Sequence, residues 1–429
     1  MRLFKLGMVL AVLCMLTSYA SADTLVDAFK AGKINGGFTL YYEGAADVSS
    51  TVPGGGVVNM ATCGSGTCSG NQGLAGLAFI NYVSGKYKGL QTGVSFRATH
   101  DFSIDDDNVP SRLALSSAKM QQFWLKYSLK ANSVQVGRQM IMTPLLWSGP
   151  GPFPQWDSAD AVVLTTKAIP NTEIKLIAMN EWVPRDAEGS YDSNAVHFSD
   201  PLYSLYIKNN SVKNLTLIGQ YMTTDEDFDD QGLTNVPPPL SNSNGDMPAP
   251  TTEAYDVTYL EAIYNFATET PFTLKAQYSG VNYDTADDSG FFAAQVKTKL
   301  AGFGLRAAYS KVEDDNNHPG VYGHRPSYMY TAIIIMDPLN AGQESIVIGG
   351  DYAFKNGLKT AVDLAFYSDD VNDSLDGMTA IQLGLHYKFS GALDGFSAGI
   401  ITDYMTFDQT LAGGDDDVIY TRANLDFRF

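Results

Sequence analysis

Few residues of this chain are spaced for catalysis. The five histidines, at 100, 197, 318, 324 and 386, do not fall at metal-ligand intervals, and no G-x-S-x-G or comparable nucleophile motif occurs. The exception is CGSGTC, which holds Cys63 and Cys68 in a Gly/Ser-rich stretch that can bend freely. In an exported protein this pair is expected to form a small disulfide loop, since a metal site would need two further ligands that no nearby histidine supplies. Acidic runs at Asp105–Asp107, Asp225–Asp230, Asp314–Asp315 and Asp415–Asp417 read as solvated loop charge. None has the twelve-residue calcium-loop pattern, so no cofactor is expected, with loop-bound Ca²⁺ the one candidate.

The remaining chemistry is electrostatic, and it depends on which side of a strand each charge occupies. In LQTGVSFRATHD, Leu90, Thr92, Val94, Phe96 and Ala98 share one face, and Gln91, Gly93, Ser95, Arg97 and Thr99 share the other. QQFWLKYSL sets Phe123, Leu125, Tyr127 and Leu129 against Gln122, Trp124, Lys126 and Ser128. The same split runs through Phe272–Ser279, Phe303–Ser310 and Ile381–Phe389. These are strands with one dry and one wet face, a pattern that fits a soluble sandwich or a membrane barrel. Punctuation separates the two. Short turns such as SGKYKG at 84–89, KANS at 130–133 and KNNSVKN at 208–214 alternate with long Gly/Pro/Asp-rich connections. That rhythm belongs to a barrel with periplasmic turns and extracellular loops.

Composition agrees. Hydrophobic residues make up 45% and aromatics 12%, which excludes disorder, and a net charge of -19 excludes binding to a phosphate backbone. Arg2 and Lys5, the apolar Leu6–Leu16 and the small-x-small Ala20-Ser21-Ala22 read as a signal peptide over residues 1–22, cleaved after Ala22. Its loss removes Cys14 and two cations, taking the net charge from -19 to -21. Residues 23–429 then read as one barrel domain of about 18 strands of about ten residues, with an even count expected. In the final strand, Ile419, Thr421, Ala423, Leu425, Phe427 and Phe429 share one face. A terminal aromatic there resembles the insertion signal read by the β-barrel assembly machinery.

DAFKAGKINGGFTLYYEG at 27–44 resembles the start of the OprD-type and Campylobacter-type major outer-membrane porins. VGRQMIMTPLLWSGPGPFPQWDSADAVVL at 136–164 is similar to their strand leading into a loop that folds into the pore. The resemblance implies an all-β, 18-stranded antiparallel barrel of the Gram-negative outer membrane, a homotrimer among lipid and lipopolysaccharide. It also implies passive passage of small hydrophilic solutes and no enzymatic reaction.

Parity aims Arg97, Lys126, Lys175, Lys275, Lys297, Arg306, Lys388 and Arg422 at the lumen, with Asp351, Asp363, Asp403 and Asp426. Arg138 shares a face with Val134 and Val136, which would point it at lipid, where a cation near the midplane costs about 2–4 kcal/mol. A bulge at Gly137 turning Arg138 inward as a constriction arginine is the reading preferred here over a place at the rim. TPLLWSGPGPFPQW at 143–156 is too Pro-rich for a central strand, and its Trp147, Phe153 and Trp156 are too apolar for an open loop. Infolding as a constricting loop satisfies both facts. The acidic loops against a partly basic lumen suggest weak cation preference. The rival reading is a barrel serving as scaffold for an adhesin or hydrolase; a plugged siderophore transporter is disfavoured because strand-like sequence begins by Gly37.

Overall fold

The computed structural model describes residues 23–46, 71–102, 116–149, 156–183, 196–224, 254–284, 286–318, 322–323, 329–333, 339–371, 376–406 and 417–429. The leader, Cys63, Cys68, Phe153 and most of the acidic runs lie outside these residues.

A short helix, α1 (Leu25–Lys30), opens the described chain. The strands follow as β1 (Lys33–Ala46), β2 (Asn71–Val83), β3 (Leu90–Asp101), β4 (Ser117–Leu129), β5 (Asn132–Gln139), β6 (Met142–Thr143), β7 (Leu146–Trp147), β8 (Ser158–Thr166), β9 (Thr172–Val183), β10 (Val196–Asn209) and β11 (Leu215–Thr224). After them come β12 (Tyr255–Phe266), β13 (Phe272–Tyr283), β14 (Ser289–Leu300), β15 (Phe303–Val312), β16 (Tyr322–Gly323), β17 (Gln343–Ala353), β18 (Leu358–Asp369), β19 (Thr379–Lys388), β20 (Phe396–Thr406) and β21 (Asp417–Arg428). Setting aside the two-residue β6, β7 and β16, these form one 18-stranded sheet in which each strand pairs antiparallel with the next. Pairing of β1 with β21 closes it.

Two-residue alternation decides which way each side chain points. On β14, Phe292 is 50% exposed on the outer surface, whereas Gln295, on the other face, is 3% exposed. Apolar side chains outside and polar ones inside invert the arrangement of a soluble protein, and the inversion holds around the ring. Turns at one end are tight, and left-handed backbone concentrates there, at Lys88, Lys130, Asn171, Asn214 and Ala301 among non-glycines. Outward aromatics mark that edge, with Phe266 stacked on Phe272 at 4.2 Å and Phe396 meeting Phe427 at a tilt, 4.7 Å between ring centres. A second aromatic level lies nearer the long connections, where Phe292 meets Tyr309 at 5.8 Å. Bands of this kind sit at the two membrane interfaces of a barrel. No described helix is long and apolar enough to cross a membrane, which says nothing of strands.

Candidate functional site

The chain leaves the wall after Gln139 and rejoins it at Ser158, and between these points it folds inward. Ile141, Leu145 and Leu146 are buried against Ala161, Met179, Val257 and Tyr259 on the inner face of β8–β12. An apolar stripe inside a water-filled tube would be costly to leave bare. Covering it with two leucines recovers about 1.5–3 kcal/mol for each. The segment is also pinned by a buried amide. Gln220, on β11, accepts from the Leu145 N–H at 3.0 Å and donates to Thr143 Oγ1 and Ser204 Oγ, both at 2.9 Å. Trp147 stands 37% exposed on β7. Trp156 covers Arg97, whose guanidinium carbon lies 3.9 Å from its ring centre, with Phe79 at 5.1 Å on the other contact.

A second infolded segment was not foreseen. Between β15 and β17, Met329, Tyr330 and Leu339 are buried on Phe291, Ala293 and Ala308 of the inner wall. Here too an inward glutamine holds a main-chain amide: the Tyr330 N–H donates to Gln277 Oε1 at 3.1 Å. The Tyr330 hydroxyl reaches Glu261 at 2.5 Å, and burial together with that carboxylate pushes its titration upward. The two segments meet, because β16 pairs parallel with β7. In the same connection His318 packs edge-on against Phe291 at 4.7 Å, and burial pushes its imidazole down to about 3.

Register and burial locate the other charges singled out in the sequence. Lys126, Lys175, Lys275 and Lys297 lie on the inner face of β4, β9, β13 and β14, each flanked by outward residues such as Leu125, Leu176, Leu274 and Val296. Lys175 lies 5.4 Å from the Tyr206 ring centre and 3.4 Å from Glu173; Lys275 lies 5.2 Å from the Tyr330 ring centre. Arg306 forms a two-pronged pair with Asp363, both contacts at 2.7 Å. Lys388 is inward at the tight-turn end of β19. Arg422 is buried, hydrogen-bonded to Tyr420 and opposite Glu43 in the ladder. Arg97, only 2% exposed, is inward but roofed by Trp156. Lys119, its ladder neighbour, is also buried.

The inward turn expected for Arg138 does not occur. Gly137 does take a left-handed φ of +110°, where a side chain would also collide with the Phe123 carbonyl. The ladder nevertheless stays in step, with Val136 opposite Val162 and Arg138 opposite Asp160. Val136 and Val162 are exposed outward, so Arg138 and Asp160 are outward with them. Arg138 is neutralised there by Asp160 at 3.0 and 3.1 Å and Glu181 at 3.2 Å. Among the described residues no group of three or more His, Cys, Asp or Glu could hold a metal.

No family model and no curated protein matches the sequence. Solved structures do. The Pseudomonas aeruginosa OccK9 (OpdG) structure superposes with a TM-score of 0.72 at 14% identity, covering 94% of this chain and 99% of that one. The chain has the OprD-type porin fold. Other OprD-type barrels superpose as fully: Acinetobacter baumannii OccAB3 with a TM-score of 0.72 at 15% identity, covering 93% and 99% of the two chains. For P. aeruginosa OccK3 (OpdO) the TM-score is 0.69 at 12% identity, covering 94% and 97%.

Proposed function

We propose that this chain is a porin of the Gram-negative outer membrane, passing small hydrophilic solutes and ions by passive diffusion without chemical turnover. The observation that carries the reading is the closed ring itself, apolar outside, polar inside and narrowed by two segments fastened to its inner wall. A barrel used only as an adhesin or hydrolase scaffold has no need of lysines facing a narrowed bore.

The finer reading is of a signal peptide removed after Ala22, a Cys63–Cys68 disulfide, insertion by the β-barrel assembly machinery, and a homotrimer among lipid and lipopolysaccharide. Acidic outer connections concentrate cations within about 8–10 Å of the mouth at physiological salt. The lysines act deeper, where screening is weaker. Weak cation preference, fading as salt rises, is the combined expectation.

Single-channel recording of the purified protein in planar bilayers tests the reading. Stable stepwise conductance is expected, with a reversal potential in a KCl gradient that moves toward zero at high ionic strength. A protein that inserts without conducting belongs to the scaffold reading instead.

A further inference from the structure

We propose that α1 (Leu25–Lys30) is an interfacial foot, lying in the headgroup region of the phospholipid leaflet on the tight-turn side of the barrel. The inference rests on the reading of the barrel as membrane-embedded.

The helix is fastened to the barrel. Thr24 caps its first turn, accepting from the Asp27 N–H at 3.1 Å. At its other end the Tyr82 hydroxyl donates to the Phe29 carbonyl at 2.6 Å, and the Gly85 N–H donates to the Ala28 carbonyl at 2.8 Å. Phe29 also stacks on the Tyr82 ring, with centres 6.3 Å apart and planes 8° from parallel. Gly32 lets the chain pass beside that ring, where a side chain would collide with it.

Those contacts set α1 on the outer surface of the wall. Tyr82 stands opposite Ile34 in the ladder and two positions from Ile80, and both isoleucines are exposed outward. Phe38, on the same face of β1 as Ile34, meets Phe427 at 5.4 Å within the aromatic band of that edge. α1 therefore continues the lipid-facing surface at its tight-turn margin.

The side it turns away from the protein is apolar. Ala28 is buried against the barrel, whereas Leu25, Val26 and Phe29 are 54%, 61% and 48% exposed and together span a sector of about 100°. Asp27, tied to the Thr24 hydroxyl, falls on the opposite side, and Lys30 borders the sector. Lys33 follows, and Lys86 and Lys88 stand exposed on the turn bonded to Ala28. An apolar sector edged by lysines suits a membrane interface, where the apolar side chains enter the acyl boundary and the lysines reach phosphates. Three apolar side chains are too few for a protein partner, whose stable interfaces take about 20–30 residues a side. The four lysines outnumber Asp23 and Asp27, so the local field favours anionic headgroups. Being held by the wall, so short a helix need not bind lipid unaided; it sets the depth of this sector.

The test places a photo-crosslinking phenylalanine analogue at Val26, at Asp27 across the helix and, as reference, at Phe366, which is exposed on the outer face of β18. The full chain is irradiated in intact outer membranes and the adducts are sorted by mass. Phospholipid adducts from Val26 and Phe366 are expected, with about tenfold fewer from Asp27. Equal yields from Val26 and Asp27, lipopolysaccharide or protein adducts in place of phospholipid at Val26, or adducts at Phe366 alone would overturn the proposal. Adducts at neither Val26 nor Phe366 would overturn the membrane reading together with it. Lys30→Gln with Lys33→Gln should lower phosphatidylglycerol adducts relative to phosphatidylethanolamine about fivefold for each lysine lost. An unchanged ratio overturns the part given to the lysines. Single-channel conductance of the same preparation reads the pore separately, so lipid adducts without conductance count against the porin reading alone.

Discussion

The two halves of the inner wall carry charge in different ways. Along β15, β17–β21 and β1, a group of charged side chains in one ladder row or beside it is partnered within the wall. Arg306 clasps Asp363 across Gly349, where a side chain would have no room. Asp403 accepts from Gln382 at 2.7 Å, and Arg422 bonds Tyr420. Along β4–β14, by contrast, Lys126 and Lys297 make no ion pair among the described residues and Lys275 faces an aromatic ring, while Lys175 is the exception, 3.4 Å from Glu173. Partnered charge stiffens a wall and cancels its own field. Charge without a partner acts on whatever passes, so the two halves divide support from selection.

The sharpest way to break this comparison is to free the segment that narrows the lysine half. Gln220→Leu removes three hydrogen bonds to the infolded strap and its surroundings, each worth about 0.5–1.5 kcal/mol net. The variant should conduct about twofold more, with flicker between levels, because the narrowing no longer holds one position. Bilayer recording checks it; an unaltered, quiet channel would mean that packing of Leu145 and Leu146 suffices alone.

Selection is tested next. Replacing Lys126, Lys175, Lys275 and Lys297 together with Gln should raise the cation-to-anion permeability ratio about two- to fourfold, through loss of positive field in a low-dielectric bore. Reversal potentials measure this. Neutralising the partnered half with Arg306→Gln and Asp363→Asn should leave the ratio near its original value, and an equal shift from both sets would erase the distinction drawn above.

The converse concerns stability. Asp363→Asn alone strips Arg306 of its carboxylate and should cost about 1–3 kcal/mol. Thermal unfolding in detergent reads the loss, which replacing both partners with apolar residues should largely reverse.

The smallest effect is expected from pH. His318 is held neutral in the fold, so its burial stabilises fully above the ordinary value of 6.5 and loses that contribution as pH falls toward about 3, when only the unfolded form takes up a proton. Recordings between pH 7 and pH 4 should show increasing flicker from the second infolded segment, and His318→Phe should suppress that increase.

Much of this was legible in sequence because a strand reads out its environment every second residue. Leu90–Ala98 and Phe303–Tyr309 announce both faces of the wall, and 143–156 announces infolding by being too proline-rich for a strand and too apolar for a loop. The second segment carried a comparable signal, the apolar run Ala332–Met336 inside a Gly/Pro/Asp-rich connection, which a search for membrane helices passes over. Gln220 and Gln277 gave none. An inward amide that clamps a distant loop is indistinguishable in sequence from one that meets water. Arg138 shows the opposite hazard. Strict alternation gave its direction, and Gly137 invited an exception that the ladder does not make. What alternation could not supply was the partner pair Asp160 and Glu181, which makes an outward arginine tolerable.

The closure of β1 on β21 sets a timetable. Gly36 and Phe429 exchange two main-chain hydrogen bonds, and the Thr39 hydroxyl donates to Asp426 across 387 positions. No ring exists until β1 and β21 have met, so the barrel cannot close from its first strands alone. Until then both terminal strands are raw edges, templates for pairing with any neighbouring chain. Loop-closure entropy rises only by about 0.6 kcal/mol per doubling of length, so the delay is one of waiting more than of free energy. For this molecule, the pairing of β1 with β21 is the step that turns a sheet with two open edges into a ring with none.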